Sequence, residues 1–140
     1  MRRARLRWAD NRPSHSGTIA VCAAAVALAL LFTLPAARVR NIEREAAPRV
    51  EAARELCLSG DMGAAAKECA RLAELLAGEY TFLSSIIDND LVDALMLRAY
   101  SSLDMAHAGD VPQLLCELRA LEEALYCATR VESFSFDMVL

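Results

Sequence analysis

Aromatic residues make up only 6% of the chain, histidine occurs twice, and lysine supplies one of the 15 basic side chains. Ala and Leu dominate instead, so helix is favoured over sheet, and an apolar content of 56% excludes a disordered chain. Glycine-rich phosphate loops and Cys-x-x-Cys pairs are both absent, which removes two common signatures of nucleotide and zinc sites. Cations are scarce in the larger part of the chain: residues 38–140 hold ten basic against 18 acidic side chains, a balance of −8. Nucleic-acid affinity comes largely from cations that displace condensed counterions, so this balance excludes nucleic acid as a partner.

Charge is missing altogether from Thr18 to Leu34, and the run from Ile19 to Phe32 is apolar on every face. A helix over residues 18–37 rises about 28 Å, which matches the hydrocarbon thickness of a bilayer, so a transmembrane helix is expected there. A cleaved signal peptide would need small residues at the third and first positions before the cut. Cutting after Ala37 puts Pro35 at the third position and cutting after Ala36 puts Leu34 there, so an uncleaved anchor is favoured. Residues 1–17 then form a basic head with Arg2, Arg3, Arg5, Arg7 and Arg12. Five arginines also follow the span, interleaved with Glu43, Glu45, Glu51 and Glu55. The short basic head sets the expected orientation: N-terminus cytoplasmic and residues 38–133 extracytoplasmic in the cell membrane.

The outward part reads as four helices. The first covers 38–59 through Val39, Ile42, Ala46, Ala53 and Leu56, with Pro48 inside it. Gly60 suits a left-handed helix end and Asp61 a cap for a second helix over 63–87, whose stripe is Ala65, Cys69, Leu72, Leu75, Leu76, Leu83 and Ile86. Gly78 interrupts that stripe and invites a bend or a helix end near Gly78 and Glu79. A third helix starts with Asp90 as its cap and Asp93 in its first turn, with Leu91, Leu95, Tyr100 and Leu103 as the apolar face. A fourth follows Gly109-Asp110 and carries Leu114, Leu118, Leu121 and Leu125. Gly60-Asp61, Glu68 and Leu72 recur as Gly109-Asp110, Glu117 and Leu121 at an offset of 49. The expected fold is all-α: one N-terminal transmembrane helix, then a small four-helix bundle or a paired helical-hairpin domain of tetratricopeptide type.

Four cysteines lie beyond the span: Cys57, Cys69, Cys116 and Cys127. On one helix Cys116 and Cys127 stand about 16 Å apart, too far for a mutual bridge or a shared metal. Cross-pairing with Cys57 and Cys69 stays open, and buried free thiols are the favoured reading. Asp88, Asp90 and Asp93 are read as helix caps in preference to a cation site, because the glycine and later glutamate of an EF-hand loop are missing. His107 has no visible catalytic partner, and His15 falls on the other side of the membrane, so no enzyme, cofactor, metal or small-molecule substrate is expected. The ending Phe134, Ser135, Phe136, Asp137, Met138, Val139, Leu140 alternates, and is read as an extended apolar tail over 134–140. Phe134, Phe136, Met138 and Leu140 are its candidate contact residues.

The short basic head, the single span, the Gly60-Asp61 hairpin, the block from Phe82 to Asp93 and the Phe134-to-Leu140 ending resemble an uncharacterised bacterial family of short single-anchor helical proteins, a domain of unknown function. Members of that family tend to carry a histidine in the acidic block, where this chain has Asn89. The resemblance implies an outward-facing helical domain in the cell envelope of a Gram-positive bacterium, and supplies no activity. The leading expectation is a membrane-anchored interaction or structural module that binds another envelope protein or forms a homo-oligomer. The alternatives are an extracytoplasmic thiol- or metal-dependent sensor using the four cysteines and, third, an enzyme with an unrecognised site around His107 and the Asp88 cluster.

Overall fold

The computed structural model describes residues 15–137, with side chains described for 17–31 and 33–130. All of its regular structure is helical: α1 is His15–Leu58, α2 is Met62–Ile86, α3 is Asn89–Ala108 and α4 is Val111–Asp137. The chain divides into two compact units between Leu34 and Pro35. The expected span and the expected first soluble helix are both assigned to α1, which contains Pro35 and Pro48. Each proline removes one i to i−4 hydrogen bond. In the second unit the buried positions Val39, Ile42, Ala46, Val50, Ala53 and Cys57 recur every three or four residues on both sides of Pro48, and this burial offsets that loss.

Two of the three turns share one design. Gly60 takes φ +84° and Gly109 φ +72°, a left-handed conformation that costs an L side chain but not glycine. The Gly60 amide donates to the Cys57 carbonyl at 3.1 Å and the Asp61 amide to Leu56 at 3.0 Å. The same bonds recur from Gly109 to Ala106 at 3.3 Å and from Asp110 to Met105 at 3.1 Å. Asp61 Oδ1 then accepts from the Ala64 amide at 2.9 Å, and Asp110 Oδ1 from the Gln113 amide at 3.1 Å, satisfying otherwise free donors at the starts of α2 and α4. The middle turn is different. Ile87 is extended, and Asp88 caps α3 by accepting from the Asp90 amide at 2.9 Å. The cap is therefore Asp88 rather than Asp90, because the extended Ile87 ends α2 and brings Asp88 to the helix entrance.

α2 packs against α3 and α3 against α4. The Pro35-to-Leu58 part of α1 meets α2 through Arg38 and Glu79 at 2.8 Å, and α4 through Arg54 and Glu122 at 2.7 Å. Cys57 Sγ lies 4.0 Å from the Val111 carbonyl at the start of α4. The core repeats with the turns: Ala46, Val50, Ala53, Cys57, Ala65, Cys69, Leu72 and Leu76 are buried, and so is the residue 49 positions beyond each. No helix end forms near Gly78, since α2 runs through it to Ile86. On α3 the expected face is rotated. Tyr100 is 48% exposed, and the buried line is Val92, Leu95, Ala99, Ser102 and Ala106. That line keeps a strict three-four spacing, and its small residues fit where helices approach closely, whereas a bulky phenol ring does not. The buried Ser102 hydroxyl donates to the Arg98 carbonyl at 2.8 Å and so leaves no unpaired polar group.

Candidate functional surfaces

In the first unit every described side chain from residue 17 to 31 is exposed. Ile19, Val21 and Leu31 present 67–69% of their surface. A helix that is apolar all round and covered by nothing belongs either in a protein core or in a bilayer. Among the described residues this is the one helix long and apolar enough to cross a membrane, and none of its apolar window is buried. Thr33, near the end of the run, donates its hydroxyl back to the Ala29 carbonyl at 2.9 Å, so it brings no unpaired polar group.

The cysteines fall into two kinds. Cys57 and Cys69 are buried in the second unit, while Cys116 and Cys127 are exposed on α4, and none of them is bridged. The expectation of buried thiols therefore holds for the first pair and fails for the second. Cys116 and Cys127 sit on the side of α4 away from its Leu114, Leu118, Leu121 and Leu125 line. Burial raises the pKa of Cys57, and burial, with help from Cys57 and Glu68, pushes Cys69 up to about 11. Both thiols are thereby held in the protonated, unreactive form.

The acidic block does local structural work. Asp88 caps α3, and Asp93 accepts a hydrogen bond from the Tyr80 hydroxyl at 3.0 Å, tying α3 to α2. That bond and the Asp93 charge raise the Tyr80 pKa. Among the described residues no three His, Cys, Asp or Glu side chains converge on a point where a metal could sit. His107 is exposed in the last turn of α3. The ending is not extended where it is described: α4 continues through Phe134 and Phe136 to Asp137, since no glycine or proline after Pro112 stops it. Met138 and Leu140 lie outside the described residues.

No family model, no curated protein and no solved structure matches this chain.

Two ion pairs related by the 49-residue offset are added by the structure, although their signal is present in the sequence. Glu117, on α4, is 8% exposed and accepts from Arg98 Nη1 on α3 at 3.0 Å, with Gln113 Nε2 3.4 Å away. Arg49 and Glu68, each 49 residues earlier, pair across α1 and α2 at 3.6 Å. Each helical hairpin thus pairs an arginine of its first arm with a glutamate of its second. The offset already visible in Glu68 and Glu117 extends to Arg49 and Arg98.

Proposed function

We propose that this chain is a membrane-tethered helical module of a bacterial cell envelope, and that it works by holding a protein partner rather than by catalysis. The observation that carries the tether is the uncovered apolar helix of the first unit: in water each large apolar side chain there forgoes about 1.5–3 kcal/mol of burial, which a bilayer supplies. The five arginines of residues 1–17 support a cytoplasmic head and an outward second unit. The bacterial envelope assignment rests on the family resemblance of the sequence. A closed four-helix bundle is favoured over a hairpin stack by the contacts of α1 with α4, because an open stack keeps its first and last helices apart.

A binding role is supported by the second unit's chemistry. Asp61, Asp88 and Asp110 cap helices, Glu68, Glu79, Glu117 and Glu122 stand in ion pairs and Cys57 and Cys69 lie in the core, while Leu97, Tyr100 and Tyr126 stay 48–63% exposed. Alkaline carbonate extraction of membranes, combined with protease protection in sealed vesicles, tests the tether. The full-length chain is expected to stay in the membrane fraction with residues 38–140 accessible from outside. Recovery of a soluble product starting near Arg38 would remove the tether. Proximity labelling from the outward unit in living cells then identifies what it holds.

A further inference from the structure

The solvent face of α4 is its own complement. Cysteine is among the residue types most often buried, yet Cys116 and Cys127 are both exposed here. Eleven residues advance an α-helix three turns plus about 20°, so the two thiols lie on one line along α4, about 16 Å apart. Between them on that face stand Arg119, Ala120 and Glu123. Arg119 and Glu123 are 79% and 70% exposed and 3.4 Å from one another, so their charges are held at the surface. Read from its N-terminal end, the line is thiol, cation, anion, thiol.

We propose that a second copy of this chain docks on this face, with the two α4 helices antiparallel. In that register Cys116 of one copy faces Cys127 of the other, and Arg119 faces Glu123, both contacts occurring twice about the two-fold axis. Ala120 lies beside the axis, where a small side chain lets the helices approach to about 8 Å. The parallel register sets arginine against arginine and glutamate against glutamate, and like charges repel. Charge complementarity therefore selects both the occupant and its direction. This inference rests on the interaction-module reading and names its partner.

The test uses the purified full-length chain in detergent with Cys22→Ala, which removes the exposed thiol of the first unit, treated with copper(II) phenanthroline. Each bridge forms as two thiols give up two protons and two electrons, which reduce copper(II) to copper(I). A disulfide-linked dimer is expected on a non-reducing gel. Cys116→Ser alone and Cys127→Ser alone, each added to that chain, should abolish it, because each leaves a serine opposite the remaining α4 thiol, and Cys57 and Cys69 are buried. Mixing the two single variants, differently tagged, should restore a cross-linked heterodimer. Arg119→Glu should lower the cross-linked yield of the Cys22→Ala chain about five- to tenfold, and adding Glu123→Arg should recover it. A dimer that persists in either single cysteine variant overturns the antiparallel register. Absence of any dimer overturns the self-association, and does so without touching the tether, which carbonate extraction reads separately.

Discussion

Leu95 and Leu97 are two residues apart on α3 and make the sharpest test of how that helix is turned. Leu95 is 1% exposed and Leu97 is 63% exposed. Truncating Leu95 to Ala removes three buried carbons, about 2.4 kcal/mol at about 0.8 kcal/mol per methylene-sized group. The cavity left behind brings the total into the range of about 2–5 kcal/mol. A domain of this size has about 5–15 kcal/mol of stability in all, so the substitution takes a large share of it. At about 4–8 °C per kcal/mol, a loss of 2.5 kcal/mol lowers the midpoint by about 10–20 °C. Leu97→Ala should stay within about 0.5 kcal/mol of the native chain, because its side chain is already in water. Thermal melts of the full-length chain in detergent, followed by far-ultraviolet circular dichroism, measure both. Equal shifts for the two leucines, or a larger one for Leu97, would refute the assignment of Val92, Leu95, Ala99, Ser102 and Ala106 to the interior.

Four further outcomes are expected. Iodoacetamide at pH 8 followed by peptide mass spectrometry should label Cys116 and Cys127 in the native chain, and Cys57 and Cys69 only after denaturation; rapid labelling of Cys69 would contradict its burial. Gly109→Ala should cost about 1–2 kcal/mol through backbone strain alone, since φ is +72° and no atom lies within 4 Å of the added Cβ; a neutral effect in urea titration would count against the left-handed turn. Tyr80 should deprotonate above the ordinary tyrosine range. Its bond to Asp93 is at full strength below the unfolded pKa of about 10 and is lost as pH rises through the raised folded value. Asp93→Asn should therefore lower the pH at which phenolate absorbance from Tyr80 appears, with Tyr80→Phe identifying the transition. A double-mutant cycle between Arg54 and Glu122 should give a coupling of about 0.2–1 kcal/mol, as befits a pair with one partner well exposed; zero coupling would remove the charge contact between α1 and α4.

The sequence discloses the helices of this protein more readily than their rotations. Leu114, Leu118, Leu121 and Leu125 mark the inner face of α4 because nothing on that helix competes with a strict leucine line, and all four are buried. On α3 the large residues mislead: Tyr100 looks like core by size, while Ala99 and Ser102, which carry little hydrophobic signal, take the interior. The glycine-aspartate turns were legible because a left-handed residue followed by a capping carboxylate has few substitutes. Which aspartate caps α3 was not, since Asp88 and Asp90 are equally good caps and only the backbone at Ile87 decides between them. The cysteines divide for a similar reason. Composition gives a thiol a strong interior preference, and nothing local says that Cys116 and Cys127 face outward until the leucine line of α4 fixes which way it turns. The surface proposed to receive a second copy became readable only with that rotation in place.

The paired arginine and glutamate of each hairpin act as a ruler. Arg49 to Glu68 and Arg98 to Glu117 span the same number of residues, and a glycine reversal divides each span at the same point. Inserting one residue between Gly109 and Glu117 would turn the carboxylate about 100° around the α4 axis, away from its guanidinium. Arm length in both hairpins is therefore set by electrostatics as well as by packing, and tolerance of added residues should be confined to the turn around Ile87, which neither ruler crosses.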